Sequence, residues 1–311
     1  MKLLILQTTE RMISIIICSR DADISEDLRN NIRETIGMEY ELIIVDRSQH
    51  NQSIFKAYNI GIDRSKYDLL CFIHDDILFH TRQWGRILLE HLTPNPLGLV
   101  GVAGGVLAPR VPAQWNFGLH FVHILQYKKR RGYSELLEGA SFNNQLSQSV
   151  VTIDGVFMAC RKELFKNIRF DELSFKGFHC YDLDISLQAH ALGFENRIIS
   201  NLLLEHFSEG KLDRNWIESQ LLLWRKWRNR LPFSLAPISN EELTEKEISY
   251  MEHSFTRRMV RRGFSNQQIL GVFKEFNDFI KPKSMAFAKM DVTHLTWIRL
   301  MIKPTSLLKK G

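Results

Sequence analysis

Leu69-Leu70-Cys71-Phe72-Ile73-His74-Asp75-Asp76 is an apolar run that ends in a histidine and two adjacent carboxylates. Continuous apolar runs of this length read as strands buried on both faces, and C-terminal strand ends are where open α/β sheets hold ligand groups. Two ionised carboxylates at one strand end repel each other unless a cation or donor hydrogens compensate. A divalent cation carrying a phosphate meets that need.

Upstream of this run, Met12 to Cys18 predicts a strand ending at Ser19-Arg20-Asp21, and Ser25 to Gly37 has helical spacing with Ser25 as its N-cap. Glu41 to Val45 predicts a second strand ending at Asp46-Arg47-Ser48, and Ser53 to Ser65 the next helix. Strand and helix thus alternate up to Asp75-Asp76, the pattern of a parallel, doubly wound sheet. No glycine-rich fingerprint follows the first strand, which disfavours a dinucleotide-binding unit and a phosphate-cradling loop.

Downstream, Leu99 to Leu107 carries Gly101, Gly104 and Gly105, which fit close packing and close ligand approach equally. Gln114 to Ser149 mixes aromatics, the basic run Lys128 to Arg131 and a polar stretch, as in a loop or hairpin insertion. Val150 to Arg161 reads as one apolar strand with Asp154-Gly155 at its centre. The segment Phe175 to Asp184 then turns into a helix from about Asp182 to Leu192, and a further strand, Glu195 to Leu204, runs into Glu205-His206. From Asn215 onward the spacing is helical, broken at Pro232, Pro237 and Pro282. The reading is therefore an α/β domain over residues 1–212 and a helical C-terminal region over 213–311.

A chain of 311 residues that is 44% hydrophobic can bury a sizeable core. Cys18, Cys71, Cys160 and Cys180 lie in or beside apolar runs and lack zinc-site spacing, which suits thiols in a reducing compartment. The apolar stretch within Met1 to Gln7 is too short for a signal-peptide core, and no run approaches the roughly eighteen apolar residues of a membrane span. A cytoplasmic location is the expectation. The net charge of +6 suits phosphate-bearing partners without choosing among them.

Taken in order, these motifs resemble the inverting glycosyltransferases of family 2, which have the GT-A fold, and in particular a subgroup with a His-Asp-Asp metal motif. The resemblance covers about residues 12 to 210. It implies a GT-A type, mostly parallel sheet flanked by helices, with the C-terminal helices as an appendage. It implies a divalent cation, Mn²⁺ or Mg²⁺, held by Asp76 with Asp75 and His206, and nucleotide contacts from Ser19, Arg20, Asp46, Asn59 and Asp75. Ile73 stands where most of the family has a further Asp, so a third carboxylate ligand is not expected.

By the same resemblance Asp182 is the general base that takes the proton of the acceptor hydroxyl, with Asp184 beside it. Tyr181 occupies the position where the family usually has Glu. Asp154, Gly155, His179 and Trp115 are the candidates for contacts to donor or acceptor sugar. The implied reaction moves a sugar from a nucleotide donor, UDP-linked for preference, to a saccharide or lipid-linked hydroxyl in surface glycan synthesis.

Arg257, Arg258, Arg261 and Arg262, with Lys281, Lys283, Arg299, Lys303, Lys309 and Lys310 around Trp297, Leu300, Met301 and Ile302, fit either a solvated face or peripheral contact with an anionic membrane. Two rival functions remain. A nucleotidyltransferase uses a similar sheet and paired acids, but Ser19-Arg20-Asp21-Ala22-Asp23 does not resemble its glycine-rich triphosphate loop. A nucleic-acid-binding protein would explain the Trp and Arg interleaving at Trp224 to Arg230 and leave Asp75-Asp76 and Asp182 without a task.

Overall fold

The computed structural model describes residues 12–46, 52–93, 97–210, 212–280 and 288–302. Met1 to Gln7, Arg47, Ser48, Lys281, Pro282, Lys283, Lys303, Lys309 and Lys310, which figure in the readings above, lie outside the described residues. The chain divides into two compact units. The first holds the residues up to Ala108, Gln114–Gly210 and Phe233–Ala236; the second holds Pro109–Ala113, residues 211–232 and Pro237 onward.

A seven-stranded sheet organises the first unit, in the order Ser147–Val150, Glu195–Ile199, Leu97–Gly101, Phe157–Arg161, Leu69–Ile73, Met12–Ser19, Glu39–Asp46. Five strands run one way, while Phe157–Arg161 and the edge strand Ser147–Val150 run against them. The mostly parallel α/β sheet with helices around it is the one expected. Every residue of Leu69–Ile73 is buried, as an apolar run without alternation requires for a central strand.

The helices begin where short polar side chains satisfy free backbone N–H groups. Ser25 accepts from the Leu28 N–H at the head of Glu26–Thr35, and Ser53 from the Lys56 N–H at the head of Ile54–Arg64. Leu28 and Ile32 join the core, where Trp84 stacks on Phe79 with ring centroids 4.2 Å apart. The Trp84 indole N–H donates to Thr35 Oγ1 at 3.0 Å, which satisfies the one polar atom of that buried side chain.

Two expected strands are broken. Val150 to Arg161 is three pieces: Val150 ends an edge strand, Thr152–Ile153 pairs with Ala103–Gly105 in a separate sheet, and Phe157–Arg161 returns to the main one. Asp154-Gly155 forms the turn between the last two. Likewise Glu195 to Leu204 splits into Glu195–Ile199 in the main sheet and Leu204–His206 in a four-stranded sheet with Ile77–Phe79, Ile124–Lys128 and Tyr133–Leu136. The chain changes sheets at Ser200, whose N–H and hydroxyl bond the carbonyls of Leu146 and Gln145 in place of ladder partners. Continuous hydropathy cannot reveal such a break, because both halves are buried.

The second unit is helical: Arg214–Trp227, Asn240–Ser249 continuing through a π-helical turn at Tyr250–Phe255 into Thr256–Arg261, then Asn266–Ile280 and Val292–Ile302. Its Pro109–Ala113 segment is anchored by Arg110, whose guanidinium meets the buried Glu247 carboxylate at 2.9 Å and the Thr244 hydroxyl at 2.8 Å. The Trp224 indole donates to the Arg110 carbonyl at 2.8 Å. Arg225 and Arg228 both bind Glu275, and Trp224 and Trp227 are buried. The Trp and Arg interleaving is thus used within the unit, which removes the feature that favoured nucleic acid. Arg258 stacks over Trp216 and Arg262 donates to the Leu212 carbonyl, so part of the arginine cluster is packing as well.

Candidate functional site

The central strand delivers His74, Asp75 and Asp76 at its C-terminal end, and the four-stranded sheet brings His206 to them. Ile77 pairs with His206 across that sheet, so residues far apart in sequence meet through strand register. His206 Nε2 lies 3.4 Å from Asp76 Oδ1, and His74 Nδ1 lies 3.7 Å from the same oxygen. The ligand atoms of His74, Asp76 and His206 all fall within 4.8 Å of one another.

Asp76 Oδ1 is buried and has no hydrogen-bond partner. A buried, unsatisfied carboxylate oxygen facing two imidazole nitrogens fits a divalent cation, since mixed carboxylate and imidazole donors suit Mn²⁺ and related ions. Burial alone would raise the Asp76 carboxyl, but the neighbouring His206, with Ser208 and His74 contributing, outweighs it and holds the group well below the usual carboxylate range. Burial, with His206 adding, lowers the His74 imidazole below its ordinary value, which keeps it neutral and able to ligate. Asp75 is partly buried beside this cluster and is not a member of it. His74 joins the cluster although the sequence reading gave the ligands as Asp76, Asp75 and His206; its place directly before the acids was the available signal.

Asp182 lies in the first turn of the helix Tyr181–Ala191 and accepts from the Gly155 N–H at 3.0 Å. Cys180, just before the helix, takes a φ of 71°, a left-handed conformation that non-glycine residues rarely adopt and that recurs at functional sites. Desolvation, reinforced by the nearby Asp154 carboxylate, pushes the Asp182 carboxyl up to about 7, the range suited to a general base. Asp154 itself accepts from the Val156 N–H at 2.9 Å. Asp184 is only 1 % exposed and accepts from the Gln188 amide at 2.8 Å.

Tyr181 joins the two acid sites. Its hydroxyl is 2.8 Å from His74 Nε2 and donates to the Gly155 carbonyl at 3.0 Å. Gly155 must be glycine here: a Cβ on it would lie 2.1 Å from the Tyr181 hydroxyl oxygen. Burial drives the Tyr181 phenol far above its ordinary value, so it keeps its proton. Asp76, His74, Tyr181, Gly155 and Asp182 therefore form one continuous chain of polar contacts.

The remaining candidates are spread around this core. Ser19 and Asp46 sit at the ends of adjacent parallel strands, where they pair in register, and Arg20 is exposed just beyond. Ser19 Oγ accepts from the Asp21 N–H at 3.2 Å and so shapes the turn. Asn59 donates to the Phe170 carbonyl at 2.9 Å and ties its helix to the loop before Phe175. His179 is partly buried against Phe178, and Trp115 packs edge-on to His120. Gly101, Gly104 and Gly105 are packing positions; a Cβ on Gly105 would come within 1.8 Å of the Trp115 carbonyl oxygen. A cavity of about 540 Å³ lined by Asp63, Asp68, Arg161 and Lys162, among others, lies at the opposite strand ends, since Arg161 pairs with Leu69.

A family model described as "Glycosyltransferase like family" matches residues 14–218, more than half of the chain and including every residue of the network. The chain belongs to this glycosyltransferase-like family. Membership supports glycosyl transfer as the general activity. No curated protein matches the chain. Among solved structures, the crystal structure of GalNAc-T7 with UDP, GalNAc and Mn²⁺ is similar at 9% identity and a TM-score of 0.48, over 82% of this chain and 58% of that one. The chain thus spans less than two thirds of that relative's length. A197 from STIV is similar at 14% identity and a TM-score of 0.38, over 74% of this chain and 98% of that one.

Proposed function

We propose that the protein is a metal-dependent inverting glycosyltransferase that moves a sugar from a nucleotide-sugar donor, UDP-linked for preference, to a saccharide or lipid-linked hydroxyl in surface glycan synthesis. The observation that carries this reading is the continuous polar network from the His74, Asp76 and His206 cluster to the Asp182 carboxylate. His74, Asp76 and His206 would hold a divalent cation, Mn²⁺ or Mg²⁺. When bound, such an ion supplies charge neutralisation for a departing diphosphate.

In this reading Asp182 takes the proton from the acceptor hydroxyl as that oxygen attacks the anomeric carbon. Its carboxyl, pushed up to about 7 by burial and the nearby Asp154, has the basicity that this proton transfer needs. The Gly155 N–H fixes one carboxylate oxygen and so orients the group. Asp184, buried and bonded to Gln188, orients the helix that carries Asp182. Ser19, Arg20, Asp46 and Asp75 line the strand ends that would receive the nucleotide, Asn59 supports them, and Asp154, His179 and Trp115 border the sugar side.

A hydrolysis and transfer screen over UDP, GDP and dTDP sugars with Mn²⁺ tests the proposal. Turnover of one donor that disappears with chelator supports it; metal-independent turnover of all, or of none, counts against it.

Membrane contact belongs to the same proposal. No helix among the described residues is long and apolar enough to cross a membrane. Val292–Ile302 nevertheless leaves Trp297, Leu300 and Met301 at 60%, 57% and 71% exposure, and residues 292–311 carry basic side chains and no acid. Removing residues 282–311 is expected to abolish sedimentation with anionic vesicles and leave donor hydrolysis unchanged. Equal sedimentation of both forms would remove the membrane from the proposal.

A further inference from the structure

Two histidines can face one cation only if each presents an unprotonated nitrogen to it, and a neutral imidazole has just one. Which nitrogen stays bare is decided by the hydrogen bond made at the other.

At His74 the deciding group is Tyr181. The phenol oxygen stands 3.0 Å from the Gly155 carbonyl oxygen, and two oxygens at that separation need a proton between them, which only the phenol has. With its proton committed to Gly155, the Tyr181 oxygen can only accept from His74 Nε2 at 2.8 Å. Nε2 therefore bears the hydrogen, and the bare nitrogen is Nδ1, the one facing Asp76 Oδ1.

At His206 the deciding group is Gln126. Its amide nitrogen donates to the carbonyls of His206 and Ser208 at 3.0 and 2.9 Å, which fixes the orientation of the amide. The Gln126 oxygen is then the atom 3.2 Å from His206 Nδ1, so Nδ1 must donate. The bare nitrogen is Nε2, again the one facing Asp76 Oδ1. Gln126 is a buried amide on a strand of the same four-stranded sheet, paired in register with His206.

We infer that Tyr181 and Gln126 are positioning residues that lock His74 and His206 in opposite tautomers, so that both lone pairs point at the Asp76 carboxylate before any ion arrives. The inference rests on the metal reading for its purpose but not for its test. Tyr181 fills the position expected of a Glu in related chains, and this gives it a task there other than acceptor contact. Preorganisation of this kind leaves the ion less ordering to impose, and partners behind metal ligands are typically worth about 10–100-fold in affinity.

The test is ¹⁵N NMR of the imidazoles in metal-free protein at pH 8, combined with Mn²⁺ titration followed by EPR, on wild type, Tyr181→Phe and Gln126→Met. Wild type is expected to show His74 protonated at Nε2 and His206 at Nδ1. Tyr181→Phe should disturb His74 alone and Gln126→Met His206 alone, each weakening Mn²⁺ binding by about 10–100-fold. The reverse tautomers in wild type, or tautomers unchanged in both variants, overturn the inference. Should wild type show the expected tautomers and bind no Mn²⁺, the metal reading fails while the tautomer lock stands.

Discussion

Asp182→Asn is expected to lower transfer by about 10²–10⁴-fold while nucleotide affinity stays near the wild-type value. The asparagine keeps an oxygen for the Gly155 N–H, so local geometry is retained and only the proton acceptor is lost. In wild type, kcat/KM should rise with pH and level off above about 7, because only the ionised carboxylate accepts a proton. Stability should move the opposite way. The folded-state value lies above the ordinary 3.8, so between the two the native protein binds more protons than the unfolded chain, and stability falls as pH rises toward 7. Asp182→Asn abolishes this slope, and the variant should melt higher than wild type at pH 8 than it does, by comparison, at pH 5. Transfer at the wild-type rate in Asp182→Asn would remove the mechanism.

Asp76→Asn is the second large effect. It removes the charge that two imidazoles converge on, and metal-dependent UDP binding should weaken by roughly 100-fold or more, beyond the 10–100-fold typical of residues behind the ligands. Calorimetric titration of UDP with and without Mn²⁺ separates this from the first variant: here the metal-dependent part of binding is lost, whereas in Asp182→Asn it persists. Binding of UDP that is equally metal-dependent in Asp76→Asn and wild type would place the ion elsewhere.

The two variants divide one network into its halves, and the division shows how unevenly the site could be read from the chain. Asp76 is legible because it ends a strongly patterned apolar strand, whereas Asp182 is read through the family resemblance and not from any pattern of its helix. His74 is adjacent to the motif and yet fell outside the expected ligand set, since a histidine beside apolar residues has no local mark of its ring orientation. Gln126 lay in a stretch read only as an insertion. Its importance arises from pairing with His206, and nothing in residues 114–149 carries that information.

The sequence by itself determined the alternation of strands and helices, the burial of the central strand and the carboxylates at its end, because periodicity and capping act over a few neighbouring residues. Tertiary structure alone decided where Val150 to Arg161 and Glu195 to Leu204 break, which residues stand opposite one another, and which nitrogen of each imidazole is bare. Those outcomes depend on strand register and on hydrogen bonds between residues as far apart as His74 and Tyr181 or Gln126 and His206, distances over which no local pattern extends.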